Sequence, residues 1–80
     1  MTHEYFGIYD KAAKAYVHIS ESKNAAMFIR MCEAMAKDEK TFMGVKPDDF
    51  TASHLATFED ETGKFTSYEP EKIWEGKPNA

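Results

Sequence analysis

The sequence predicts a small α+β domain in which two β-hairpins flank one amphipathic helix, in the order ββαββ. One stretch, residues 24–40, is long and periodic enough to form a helix with an apolar stripe. Four shorter runs, two on each side of it, are rich in the aromatic and β-branched residues that are typical of strands. Because a single helix cannot bury its own apolar side, we expect a four-stranded antiparallel sheet packed on the helix.

Length and composition narrow the class of protein. The 80 residues indicate one domain, spanning residues 1–80, with a thin core. A formal net charge of −4 argues against a mainly electrostatic grip on a nucleic-acid backbone. The single cysteine, Cys32, excludes a disulfide within the chain and predicts a buried thiol in a reducing cytoplasm. Neither an apolar run of about 18 residues nor a secretory signal pattern is present, so we expect no membrane span.

The first strand is predicted over residues 5–9, where apolar side chains alternate. Phe6 and Ile8 fall on one face of this strand, and Tyr5 and Tyr9 fall on the other. The four residues before it carry no pattern, so we expect them to be ragged.

The second strand is predicted over residues 15–20, as the antiparallel partner of the first. Asp10 can accept hydrogen bonds from the backbone that follows it and so begin the connecting turn, with a short helical turn as the alternative. Alternation predicts two faces for the second strand, with Val17 and Ile19 on one and Tyr16 and His18 on the other.

The helix is expected to bury one stripe and to carry polar caps at both ends. Ser22 lies closest to its start as an N-cap, and Asn24 is the alternative. The helix should end near Lys40, because Lys37 and Lys40 oppose the partial negative charge of its C-terminus. The buried stripe follows helical spacing and consists of Phe28, Met31, Cys32 and Met35.

A long loop is predicted over residues 41–51, because Gly44 and Pro47 interrupt regular structure there. Three apolar side chains are expected to pin this loop to the core, namely Phe42, Val45 and Phe50. Loops of this length in a small domain often carry function, so the loop is a candidate surface.

The second hairpin is predicted from strands over residues 54–59 and 64–68. Gly63 supplies the positive φ that a type I turn followed by a bulge requires. Pro70 is expected to end the last strand. Residues 71–80 are then either a docked short segment or a disordered end.

The sequence provides no reason to expect a catalytic site, a metal site or a cofactor. The three histidines, His3, His18 and His54, are not spaced as ligand pairs on one element, although His18 and His54 can meet across strands. Glu59, Asp60 and Glu61 form a charge run at a hairpin tip, which is a solvated surface more often than a cation site. We therefore expect a protein that is not an enzyme.

The high aromatic content is compatible with binding of single-stranded nucleic acid. Proteins hold single strands by stacking the bases on aromatic rings beside a few cations. The alternative is that the tyrosines cover a second apolar layer or a dimer interface. The candidate nucleic-acid-binding residues are Tyr5, Tyr9, Lys11, Lys14, Tyr16, Lys64 and Tyr68.

Four ordered motifs carry a family resemblance: FGIYDKAAKAY at residues 6–16, FIRM at 28–31, KPDDF at 46–50 and HLATFEDETGK at 54–64. Together they resemble the small nonstructural protein of gokushovirus-type phages, the Microviridae with single-stranded DNA genomes. Two features depart from that pattern. No proline-containing stretch follows the Ala-Tyr pair, and the chain beyond Tyr68 does not match.

The resemblance implies a non-enzymatic phage accessory protein that acts in viral single-stranded DNA genome synthesis. On this interpretation it binds single-stranded DNA or the replication complex, as a homodimer in the host bacterial cytoplasm. The alternative function is that of an adaptor that binds a host or viral replication protein without touching DNA, through the loop at residues 41–51 or the acidic surface.

Overall fold

The computed structural model describes residues 1–78, and it confirms the α+β fold with its ββαββ order. One four-stranded antiparallel sheet has the strand order β2-β1-β3-β4. The elements are β1 (Thr2–Asp10), β2 (Ala15–Ser22), α1 (Ala25–Ala36), a short 3-10 helix (Pro47–Asp49), β3 (Phe50–Glu59) and β4 (Lys64–Glu75). α1 packs on one side of the sheet.

β1 begins earlier than the sequence predicts. The expectation of ragged residues before Tyr5 is wrong for residues 2–4, because β3 is long enough to pair with them, and His3 lies opposite Phe58. The predicted side-chain alternation on β2 is also wrong. His18 pairs with Ile8 and Tyr16 pairs with Tyr9, so Val17 is an extra residue between them. This bulge places Tyr16 and His18 on opposite faces of the sheet.

Asn24 is the N-cap of α1, which was the alternative to Ser22 in the sequence analysis. Its Oδ1 accepts a hydrogen bond from the backbone N–H of Met27 at 2.9 Å. Ser22 supports the cap from outside the helix by donating to the carbonyl oxygen of Asn24 at 3.2 Å. The free N–H groups of the first turn are therefore partly satisfied by the residue that precedes it.

α1 ends at Ala36, and the prediction that it continues to Lys40 is wrong. The Thr41 hydroxyl lies 2.7 Å from the carbonyl oxygen of Met35 and 2.9 Å from that of Asp38, which share its single hydrogen. It thus caps the carbonyl of Met35, which a longer helix would bond itself. The Asp38 side chain accepts from the N–H of Lys40 at 2.9 Å and closes a turn in place of further helix.

The stripe on α1 faces the sheet, as predicted. Phe28 and Cys32 are fully buried, whereas Met31 and Met35 are partly buried and pack against the same core. Phe28 stacks on Phe6 of β1 with ring centroids 5.0 Å apart. The buried core consists of Phe6, Ile8, Phe28, Cys32, Met43, Phe50 and Ala52.

The segment after α1 is pinned differently from the prediction. Phe50 is buried as expected, but it already belongs to β3, which begins four residues before the predicted start at His54. Val45 is 79% exposed and does not anchor the loop to the core. The buried side chain of this segment is that of Met43. Phe42 is half-exposed and touches Phe50 edge-on with centroids 5.5 Å apart.

β4 does not end at Pro70, contrary to the prediction, but continues to Glu75. β4 is an edge strand, where a residue without an N–H costs no ladder bond on the solvent side. Beyond it, the N–H of Gly76 donates to the carbonyl oxygen of Phe50 at 2.9 Å. Residues 71–76 are thus a docked segment, and residues 79–80 lie outside the described part of the chain. Gly63 has the predicted positive φ, at 75°.

Candidate functional site

The open face is the side of the sheet opposite α1, and it carries a first cluster of aromatic rings at one end. Tyr5 neighbours the buried Phe6 on β1, so its side chain lies on the opposite face. The Phe65 ring lies 5.6 Å from the Tyr5 ring and 4.6 Å from the Phe58 ring. Three strands therefore contribute one ring each to this cluster.

A second ring pair lies further along the open face. Tyr9 and Tyr16 meet edge to face with centroids 5.1 Å apart. Between the clusters, Gly7 leaves room for two side chains to cross β1. A Cβ at Gly7 would lie 2.6 Å from Cδ1 of Leu55 and 2.9 Å from Cδ1 of Tyr16. Leu55 and Tyr16 therefore lie close over the β1 backbone, and they connect the clusters in one apolar strip.

The candidate lysines lie at the two ends of this strip. Lys11 and Lys14 are in the turn between β1 and β2, beside the Tyr9–Tyr16 pair, and Lys64 precedes Phe65 at the start of β4. Lys11 Nζ is 3.9 Å from a carboxylate oxygen of Glu75. Within residues 1–78, Lys14 and Lys64 make no ion pair, and Lys14 lies at the Tyr9–Tyr16 end of the strip.

Tyr68 is not on the open face, contrary to the placement that the sequence suggests. Its ring centroid lies 5.3 Å from that of His54, which in turn packs on Phe6 at 5.0 Å on the helix side of the sheet. The Tyr68 hydroxyl donates to the Thr57 hydroxyl at 3.2 Å. The structure thus brings Tyr5, Tyr9 and Tyr16 to the open face, with Lys11 and Lys14 at one end of it. It leaves out Tyr68 and also Lys64, which neighbours the open-face Phe65 and therefore has its side chain on the helix side.

Phe58 and Phe65 are the members of the open face that sequence reasoning missed. They are cross-strand partners in the second hairpin, one position outside the loop-closing pair Glu59 and Lys64. Counting back from Gly63 across that hairpin pairs the two phenylalanines and places them together on one face. The signal is therefore present in the sequence.

Acidic groups surround His3 beyond the Phe58 end of the open face. Nδ1 of His3 contacts a carboxylate oxygen of Glu21, and Nε2 lies 2.8 Å from Oδ2 of Asp60. The Asp60 carboxylate and then that of Glu21 raise the pKa of His3 above its ordinary value of 6.5. The Met1 ammonium lies 2.9 Å from both Asp60 and Glu59, and these contacts raise its pKa to about 10. The charge run at the hairpin tip is therefore engaged by two cationic groups.

We expect the contribution of His3 to folding stability to vanish at high pH. Because the pKa of His3 is raised on folding, the stabilisation is complete below 6.5 and is lost as the pH rises through the folded value. The urea midpoint of the wild type, compared with that of His3→Gln between about pH 5.5 and 9, should show a difference that shrinks toward the alkaline end. A difference that is constant across this range would contradict the assignment.

The remaining candidate catalytic groups, His18, His54 and Cys32, do not come together in one site. His18 lies within reach of the Ser20 hydroxyl at 3.1 Å, while Nε2 of His54 lies 2.9 Å from a carboxylate oxygen of Glu4 on the helix side. β1 runs between these two histidines, so they do not meet. Burial raises the pKa of the Cys32 thiol to about 11, which keeps it protonated near neutral pH.

Within residues 1–78, no helix is long and apolar enough to cross a membrane. The fold and the site define a small α+β protein whose most distinctive surface is an exposed aromatic sheet face.

The chain belongs to the Phage ORF5 protein family, whose model matches residues 3–78. The match extends over all six elements of the fold, and it confirms the phage origin that the sequence motifs indicate. No curated protein and no solved structure matches the chain.

Proposed function

We propose that this phage protein is a non-enzymatic accessory factor in the synthesis of a single-stranded DNA genome, and that it binds single-stranded DNA on the open face. The observation that supports it best is the pair of ring clusters joined across Gly7 on a face that α1 leaves uncovered. The motif resemblance to nonstructural proteins of gokushovirus-type phages supports a role in genome synthesis in the host cytoplasm.

Stacking on aromatic rings is the interaction that this face offers to DNA. Every base has a π-face, so a ring that is free on one side can receive any base, which suits a protein without sequence preference. Phe65 is 60% exposed, and Tyr5 lies beside it at 5.6 Å. Tyr9 is separated from Tyr5 by four positions on β1, about 13 Å along an extended strand. The strip is therefore long enough to hold several consecutive bases.

Electrostatics contribute less than stacking in this proposal. Lys11 and Lys14 lie at one end of the face, Lys64 lies at the other end with its side chain toward the helix side, and the whole chain has a net charge of −4. If three lysines replace three counterions on a single strand, the slope of log affinity against log salt is no steeper than about −2. A shallow salt dependence is therefore part of the proposed function.

We expect Phe65→Ala to weaken binding of a labelled oligothymidine of about 16 nucleotides by about fivefold or more, because stacking contributes about 1–3 kcal/mol per base. Fluorescence anisotropy at two salt concentrations measures both the affinity and the salt slope. Tyr68→Ala is the matched control, because Tyr68 is also a partly exposed aromatic residue of β4 but lies on the helix side. This variant should bind as the wild type does.

Three results would contradict the proposed function. They are absence of binding at low salt, a slope much steeper than about −2, and equal losses in Phe65→Ala and Tyr68→Ala. In the first case the second candidate function, an adaptor for a host or viral replication protein, is favoured. The observation behind that candidate is the loop after α1, where Phe42 and Val45 expose apolar side chains.

A further inference from the structure

A charged cluster lies at the Tyr9–Tyr16 end of the open face, and it contains a lysine that the candidate site does not include. The ammonium of Lys72 donates to Oε1 of Glu75 at 3.2 Å, and Lys11 Nζ lies 3.9 Å from Oε2 of the same carboxylate. Two lysines from different parts of the chain, the β1–β2 turn and β4, thus converge on one carboxylate.

The pairing of the strands places this cluster on the open face. Glu75 pairs with Thr51 of β3, and Thr51 pairs with Tyr9 of β1, so the three side chains form one row on the face that Tyr9 occupies. Lys72 pairs with Ser53, which belongs to the next row on that face. Two strand spacings separate Tyr9 from Glu75, a distance of about 10 Å. A DNA strand with a base on Tyr9 therefore runs close to the cluster.

Positive charge is concentrated at this end of the face, although the whole chain has a net charge of −4. The ammonium of Lys72, followed by those of Lys11 and Lys77, lowers the pKa of the Glu75 carboxyl. The Asp10 carboxylate in the neighbouring turn instead accepts a hydrogen bond from a backbone N–H at 2.9 Å. Glu75 is therefore the carboxylate that these lysines share.

We propose that Lys11 and Lys72 bind a backbone phosphate of the single strand, and that the Glu75 carboxylate occupies this phosphate position while no DNA is bound. A carboxylate and a phosphate both present anionic oxygens to ammonium donors, so an arrangement that holds one suits the other. The side chains of Glu75, Lys11 and Lys72 are 45%, 47% and 58% exposed. Ion pairs between such exposed groups are weak, so a strand displaces the carboxylate at little cost.

This inference rests on the proposed function and adds to it a competitor that belongs to the site itself. Lys72 takes the place of Lys64, whose side chain lies on the helix side, as the third lysine of the face beside Lys11 and Lys14. The number of phosphate contacts therefore stays at three, and the salt slope stays no steeper than about −2. Glu75 lowers the affinity without touching the stacking rings.

Two substitutions test the phosphate position, measured by fluorescence anisotropy with the same oligothymidine. Glu75→Gln removes the competing charge and should tighten binding about two- to fivefold. Lys72→Gln removes one phosphate contact, so it should weaken binding about threefold or more and make the salt slope shallower by about 0.7.

The matched controls remove the same charges on the helix side. Glu71→Gln is the control on β4, because Glu71 pairs with His54 and shares its face. Lys23→Gln is the control for the lysine, because Lys23 lines a cavity with Phe6 and His54 on that side. Both variants should bind nearly as the wild type does.

An oligothymidine with a methylphosphonate backbone carries no phosphate charge, so the gain in Glu75→Gln and the loss in Lys72→Gln should disappear with it. Three results would overturn the inference: unchanged affinity in both variants, the same changes on the neutral strand, or equal gains in Glu75→Gln and Glu71→Gln. In each of these cases weaker binding by Phe65→Ala would leave the proposed function standing. Absence of binding by the wild type would overturn both.

Discussion

Replacing Phe28 by alanine is expected to remove about 3–5 kcal/mol from the free energy of unfolding. Phe28 is 1% exposed and stacks on Phe6 with centroids 5.0 Å apart, so the substitution removes a ring from the centre of the contact between α1 and the sheet. A chain of 80 residues typically has only about 4–12 kcal/mol of stability in total. The variant should therefore lose a large part of its stability.

Urea unfolding followed by circular dichroism measures this loss, and the fluorescence of the single tryptophan, Trp74, provides a second probe of the same core. The control is Met27→Ala, one position earlier on the helix. Met27 is 51% exposed, so its truncation should change stability by no more than about 0.5 kcal/mol. A loss below about 1 kcal/mol in Phe28→Ala would mean that α1 does not seal the sheet as described.

The periodic parts of the fold could be predicted from the sequence because each signal is local. The spacing of Phe28, Met31, Cys32 and Met35 predicts a helix with a buried side. Gly63 predicts the second hairpin, because the positive φ that a tight loop needs favours glycine. In both cases the signal lies within a few neighbouring residues of the chain.

The structure differs from the predictions where residues far apart in the sequence determine the local conformation. At the end of α1, the hydroxyl of Thr41 reaches back from a later turn to cap the carbonyl of Met35. β4 continues past Pro70 because β3 offers partners as far as Thr51. The bulge at Val17 appears only in the pairing of β2 with β1. None of these contacts is visible in a local pattern.

In the candidate site, too, local patterns predict some placements, and others depend on contacts between strands. Alternation along one strand correctly assigns Tyr5 and Tyr9 to the open face, because it is enough to separate them from Phe6 and Ile8. For Tyr68 the face follows only once β4 is paired with β3: Phe65 lies opposite Phe58 on the open face, so alternation puts Tyr68, three positions later, on the helix side. The rings that form the first cluster come from three strands, so their proximity is a consequence of the strand order β2-β1-β3-β4.

Gly76→Ala is expected to cost about 3 kcal/mol, although the residue lies after the last strand. A Cβ at this position would overlap the carbonyl oxygen of Pro47 and would lie 2.7 Å from its carbonyl carbon, and 3.2 Å from Cη2 of Trp74. Because the first two atoms belong to backbone, no side-chain rotation relieves the overlap. The chain must move, and the hydrogen bond from Gly76 to Phe50 is the first contact at risk.

Gly63→Ala is the control that separates this steric effect from backbone conformation. Gly63 has a φ of 75° and no atom within 4 Å of the position that an added methyl group would take, so alanine there should cost only the left-handed conformation, about 1 kcal/mol. Urea unfolding measured by Trp74 fluorescence compares the two variants. Equal losses would show that Gly76 is needed for its flexibility alone. A larger loss at Gly76 would show that the close approach of residues 47 and 76 holds β4 against the core.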